Sequence, residues 1–144
     1  MKLPDVNLFL YAYDSRSPRH ALARDWLEHT LSGAETVGLS WIVLLAFIRL
    51  STRSVVLENP LGVDAAIGLV ESWLDQPCVT VINPTERHAA VLRELLLPLG
   101  TAGNLTTDAH LAALAIEHGA QLCSCDTDFA RFPGLRWTNP LQAD

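Results

Sequence analysis

Four aspartates carry the chemical interest of this 144-residue chain: Asp5 in LPDVN, Asp108 in LTTDAH, and Asp126 and Asp128 in CSCDTDF. Carboxylates brought together repel and raise one another's pKa, an arrangement that is costly until a cation neutralises it. A donor set of oxygens without His or Cys suits a hard cation, Mg²⁺ or Mn²⁺, better than zinc. Such an ion, held by a few aspartates and several waters, activates water and neutralises charge on a phosphodiester. Each acid also has a plain structural role. Asp5 can cap the helix that follows it, Asp108 stands where negative charge favours a helix dipole by about 0.3–1 kcal/mol, and Asp126 and Asp128 are ordinary turn residues. Capping and turn roles alone must place all four on one edge by coincidence.

The elements that would position these acids follow from the alternation of short apolar runs with amphipathic ones. Lys2 to Pro4 reads as a first strand handing over to a helix near Val6 to Tyr13. Ser17-Pro18 reads as an N-cap and first-turn proline, opening a helix that aligns Ala21, Leu22, Trp26 and Leu27. Thr36 to Leu39 predicts a second strand, with Ser40 placed to cap the apolar helix WIVLLAFIRL. A helix over Val63 to Leu74 follows, then a β-branched strand at Val79 to Ile82. Asn83-Pro84 with Glu86 supplies the cap, proline and reaching acid of a capping box for the next helix. A helix from about Thr107 to His118 is closed by Gly119 at C′. Leu122 to Cys125 predicts the fourth strand, and Leu135 to Trp137 is a candidate fifth. Strands separated by helices imply a parallel α/β sheet, whose ligand crevice lies beyond the carboxyl ends of the strands. Asp5, Asp126 and Asp128 follow strand ends and Asp108 opens a helix, so all four can meet there.

Composition bounds the alternatives. With 49% hydrophobic residues the chain supports a real core in one domain, 1–144, and is too short for two. No apolar run approaches the roughly 18 residues of a membrane helix, and MKLPDVN lacks the pattern of a signal peptide, so a soluble, cytoplasmic protein is expected. The net charge of −6 argues against a broad electrostatic grip on nucleic acid. Any such contact must be local, through the single lysine and nine arginines; Arg16, Arg19 and Arg24, or Arg49 and Arg53, form small clusters that can touch phosphates. Solvated helix faces account equally well for the first cluster. Cys78, Cys123 and Cys125 read as buried reduced thiols. The five histidines show no zinc-binding spacing; His110 lies two residues past Asp108, on a different helix face. Trp26, Trp41 and Trp73 read as core or interface anchors, and the run LLLPL is more apolar than one helix face needs.

Three stretches, LPDVNLFLYA, LSWIVLLAFIRLST and TTDAHLAALAIEHGAQLCSCDTDFARFPGLRWTNP, together resemble the PIN-domain ribonucleases, and within them the VapC toxins of VapBC toxin–antitoxin pairs. The resemblance covers nearly the whole chain and implies a PIN-like α/β/α sandwich with a central, mostly parallel sheet of four to five strands. It implies Asp5, Asp108 and Asp126 as catalytic metal ligands with Asp128 as a supporting one, Ser124 as the small hydroxyl residue before the last acid, and Asn7 close behind Asp5. It further implies a Mg²⁺-dependent endoribonuclease, with Mn²⁺ a possible substitute, acting on structured RNA such as tRNA or rRNA, forming a homodimer and held inactive by a VapB-type antitoxin. One departure stands out. Many PIN toxins carry a glutamate about six residues past the serine; counting from Ser40 gives Ala46. Glu35 and Glu58 are substitutes only if their loops reach the site, and Arg49, one turn past Ala46, is either a phosphate contact or a partner of the acidic cluster. A catalytically weak or inactive PIN-fold binding protein is the alternative this departure raises. Receiver domains and haloacid-dehalogenase-like phosphatases need a late lysine, and the only lysine here is Lys2.

Overall fold

The computed structural model describes residues 1–142. Five short strands, β1 (Lys2–Pro4), β2 (Val37–Leu39), β3 (Val79–Val81), β4 (Gln121–Cys123) and β5 (Trp137–Thr138), form one sheet in the order β3-β2-β1-β4-β5. Every pairing is parallel. The order reverses at β1, which has β2 on one side and β4 on the other, and such a switch point opens a crevice beyond the strand ends. Register fixes what emerges there. Pro4 lies opposite Cys123, and the Asp5 N–H donates to the Cys123 carbonyl at 2.8 Å, so Asp5 and Ser124 leave the sheet side by side.

The helices fall into two packed groups: α1 (Val6–Tyr13) against α2 (His20–Leu31) and α3 (Trp41–Ser51), with α3 on α4 (Val63–Leu74); and α5 (His88–Leu96) against α6 (Thr106–Glu117). The sheet between them completes an α/β/α sandwich. In the first group, Phe9, Phe47 and Trp73 meet with ring centroids 4.5 Å (Phe9–Trp73) and 4.8 Å (Phe47–Trp73) apart, and burying each aromatic contributes about 1.5–3 kcal/mol. In the second, Leu111 to Ala115 are all buried. A helix apolar all round belongs inside the fold, and its alanines let it approach the sheet closely, which carries its first turn and Asp108 to the crevice.

Several starts differ from the sequence expectation. The second helix begins at His20, not directly after Ser17-Pro18; the Ser17 hydroxyl instead accepts from the Arg19 N–H at 3.1 Å and shapes the turn before the helix. Likewise α5 begins at His88, where the Thr85 hydroxyl accepts from the Arg87 N–H at 3.2 Å in place of the Asn83–Glu86 capping box. Ser40 occupies the N-cap position of α3 with extended backbone, but its hydroxyl makes no capping hydrogen bond. The closure of α6 is as expected: Gly119 is left-handed at φ 63°, and the Gly119 and Ala120 N–H groups bond the Ile116 and Ala115 carbonyls at 3.3 and 2.8 Å. The last strand forms at Trp137–Thr138, because those residues face Leu122 and Cys123 in register. Of the three tryptophans expected to be anchors, Trp73 is buried, Trp26 packs partly buried against the core, and Trp41 is 45% exposed.

Candidate active site

The site is built around one hydroxyl. Asp5 is the N-cap of α1, its Oδ1 accepting from the Val6 N–H at 2.7 Å, so its capping role is real and leaves Oδ2 for other work. That oxygen accepts from the Ser124 hydroxyl at 2.7 Å. In turn the Ser124 oxygen accepts from Asn7 Nδ2 and from the Asp126 N–H, each at 3.0 Å. Asn7 Oδ1 also accepts from the Cys125 N–H at 3.4 Å. The Trp137 indole donates to the Ser124 carbonyl at 3.0 Å. The loop after β4 is thereby fixed to the start of α1 and to β5, with every polar atom of Ser124 used.

Beyond Ser124 the acids converge. Asp126 caps the 3-10 turn Thr127–Arg131, its Oδ1 accepting from the Asp128 N–H at 2.9 Å. Asp108 reaches in from the first turn of α6. Asp108, Asp126 and Asp128 each offer a carboxylate oxygen, and these lie within 4.8 Å of one another. Asp5 stands just behind this trio. Burial pushes its carboxyl up, the Ser124 and Val6 hydrogen bonds oppose that, and the charge of Asp126 adds to it. The Asp108 carboxyl is pushed up to about 6, by burial and by the charges of Asp126, Asp5 and Asp128. The four acids thus repel through space as one cluster. The cation nearest them is Arg131, 3.7 Å from Asp128 on the exposed side. An all-oxygen, mutually repelling set is chemically suited to a hard divalent ion.

The remaining sequence candidates separate clearly. Ser40 is buried at the end of β2. Arg49 is exposed on α3 and, among the described residues, has no carboxylate within 4 Å, so it is not an ion-pair partner of the cluster. With Ile42, Leu45, Ala46 and Thr107 it lines a hollow of about 270 Å³ beside the start of α6. Thr107, which precedes Asp108 in the first turn of α6, faces Ala46 across that hollow. Neither Glu35 nor Glu58 supplies the missing carboxylate. Glu35 pairs with the Met1 amino group at 3.6 Å and Lys2 at 3.4 Å, at the entry to β1. Glu58 pairs with Arg16 at 3.3 Å, beyond the far end of α1.

One polar cluster escaped the sequence reading. His88 Nδ1 bonds Glu117 Oε2, and His88 Nε2 lies 2.9 Å from His110 Nδ1. Glu117, whose side chain is fully buried, also accepts from the Thr85 N–H at 2.9 Å and its hydroxyl at 2.6 Å. This chain ties α5 to α6 on the side of α6 away from Asp108. Burial and the neighbouring His88 hold His110 below its ordinary pKa. For Glu117 burial acts upward, but the bonds from Thr85 and His88 outweigh it and hold the carboxyl low. The only signal in the sequence was the seven-residue spacing of His110 and Glu117, which places them on one helix face.

Fold and site together define a parallel α/β sandwich with a carboxylate cluster at its switch point, of the kind that holds a divalent cation. The chain belongs to the PIN domain family, whose model matches residues 2–135. It is 48% identical over 140 residues to Ribonuclease VapC37 of Mycobacterium tuberculosis, covering 97% of each chain. It is 44% identical over 142 residues to Ribonuclease VapC33 of the same species, covering 99% of each. Among solved structures, VapBC2 from Rickettsia felis bound to a promoter DNA fragment superposes with a TM-score of 0.68 at 22% identity, over 96% of this chain and 97% of that one. Mycobacterium tuberculosis VapC20, described as a Sarcin-Ricin loop cleaving toxin, gives 0.63 at 20% identity, over 94% and 99%. At those identities the structural likeness establishes the shared fold.

Proposed function

We propose that this protein is a metal-dependent endoribonuclease and the toxin component of a type II toxin–antitoxin pair. The observation that carries the reading is the convergence of Asp108, Asp126 and Asp128 within 4.8 Å, with Asp5 braced behind them by Ser124. Relatives sharing nearly half its residues are named ribonucleases, and proteins of the same fold were solved as VapBC complexes. In this reading Asp5, Asp108 and Asp126 are catalytic and, with Asp128, would hold Mg²⁺, with Mn²⁺ as a substitute. Such an ion supplies two things when bound: a lowered pKa for water and neutralisation of charge on the phosphate.

The contribution of the chain itself is positional. Ser124, held by Asn7 and the Asp126 N–H, keeps the second oxygen of Asp5 turned to the site; α6 delivers Asp108, and the turn at Asp126 delivers Asp128. An acidic protein with few cations is expected to recognise a structured RNA such as tRNA or rRNA by shape and a few arginines, Arg49 among them. A VapB-type antitoxin and a homodimer partner fit the apolar side chains left open at Trp41 and Leu45 on α3 and, separately, at Leu97 just after α5. A cytoplasmic location fits these partners, and among the described residues no helix is long and apolar enough to cross a membrane. The single PIN domain spans 1–144 in this reading.

Ala46 favours a second reading, a binding protein on a nuclease fold, because the hollow beside it lacks the family's glutamate. Incubating the purified protein with total cellular RNA and Mg²⁺, Mn²⁺ or EDTA separates the two. Discrete fragments that require metal support the nuclease; intact RNA in every condition, with RNA or antitoxin binding kept, supports the binding protein.

A further inference from the structure

The first turns of α1 lead from the acidic site to a guanidinium. Asn7, whose side chain holds Ser124 and the Cys125 N–H, stands one helical turn from Tyr11 on the same face. The guanidinium carbon of Arg19 lies 5.5 Å from the centroid of the Tyr11 ring. The chain holds Arg19 there twice over: the Ser17 hydroxyl accepts from its N–H, and His20 Nδ1, next in sequence, bonds the Tyr11 carbonyl at 2.9 Å. Although Arg19 is exposed, no carboxylate lies within 4 Å of it among the described residues, whereas Arg16 has two and Arg24 and Arg131 one each. The Arg19 side chain also reaches the Cys125 thiol, in the loop just before Asp126.

An arginine stacked on an aromatic ring loses little further freedom when its donors engage an oxyanion, and its fork matches two oxygens of a phosphate. Paired with aspartate it would be spent; beside an acidic centre that repels polyanions it supplies the local cation a nucleic-acid backbone requires. We propose that Arg19, stacked on Tyr11, forms a phosphate-binding site for the RNA strand entering the carboxylate cluster. This rests on the nuclease reading for its substrate, but its test does not depend on turnover.

The test titrates a fluorescent mixed-sequence single-stranded RNA against the full chain carrying Asp126→Asn, at several NaCl concentrations, with Arg19→Ala and Arg24→Ala added separately. Both additions remove one exposed positive charge from the same region. Arg19→Ala should weaken binding about tenfold, as expected for one charge-assisted hydrogen-bonded contact. It should also flatten the dependence of log K on log salt by about 0.7, one phosphate's worth on a single strand. Arg24→Ala should leave both within about twofold. Equal effects of the two substitutions, or none from Arg19→Ala, would overturn the site. Cleavage assays with Asp126 intact separate this claim from the one beneath it. If the wild type cleaves RNA and Arg19→Ala leaves KM and kcat unchanged, the phosphate site falls and the nuclease stands. If the wild type cleaves nothing while Arg19→Ala still loses RNA binding, the nuclease falls and the phosphate site stands.

Discussion

The Ser124 hydroxyl donates to Asp5 across 2.7 Å, joining the end of β1 to the loop after β4, 119 residues away along the chain. It makes a single unit of two carboxylates, since the same hydroxyl oxygen accepts from the Asp126 N–H. Replacing Ser124 with alanine removes a hydrogen bond to a largely buried carboxylate and leaves Asn7 Nδ2 and the Asp126 N–H without that acceptor. A loss of about 1–3 kcal/mol is expected, read as a lower urea midpoint at unchanged m-value. An unchanged midpoint would show that the hydroxyl is not holding the loop.

The pH dependence of the metal-free protein follows from Asp108. Its folded pKa, about 6, lies above its ordinary 3.8, so between those values the folded state binds more protons than the unfolded one. The contribution of Asp108 to stability is therefore full below about pH 4 and is lost as pH rises through about 6. In EDTA, Asp108→Asn should melt above the wild type at pH 7.5, and the difference should shrink as pH falls below 6. A constant offset across that window would mean that neither burial of the Asp108 charge nor repulsion from its neighbours destabilises the site.

Restoring a carboxylate at the hollow between α3 and the start of α6 should strengthen metal binding, since ligand charge count tunes such sites. Ala46→Glu is expected to tighten Mg²⁺ about tenfold by calorimetry and to lower the melting temperature in EDTA, because a fifth negative charge joins the cluster. If both quantities stay put, position 46 does not face the acids.

His88 makes an opposite case, a partly buried polar group outside the site. His88→Ala deprives the fully buried Glu117 side chain of one partner and uncouples His110. About 1–3 kcal/mol of stability should be lost. RNA cleavage per folded molecule should hold at saturating metal, and a parallel loss of cleavage would draw the histidine chain into the reaction.

The sheet and the four acids were legible because both rest on local signals: apolar runs of strand length, and polar residues where those runs stop. Asp5, Asp108 and Asp126 could be placed on one edge once the strands were taken as parallel, since topology alone brings strand ends together. Ser124 and Asn7 were legible only through the family pattern, because their bond joins residues 117 apart in sequence. Helix starts were misread for a common reason. Ser17 and Thr85 spend their hydroxyls on the turn preceding each helix, at Arg19 and Arg87, and the sequence shows the capping residue without showing which N–H it takes. The His88–His110 contact depends on how α5 lies against α6, which no spacing within one helix records.

The account turns on whether the aspartates act as one cation site. Mn²⁺ binding, followed by electron paramagnetic resonance of the free ion, should be measured for the wild type, Asp5→Asn, Asp108→Asn and Asp126→Asn, with Asp64→Asn on α4 as an exposed control. Each site variant should bind Mn²⁺ at least tenfold more weakly than the wild type, while the control matches it. Equal binding by all five proteins would contradict a single cation site, leaving Asp5 and Asp126 as helix and turn caps and Asp108 as a charge at a helix start.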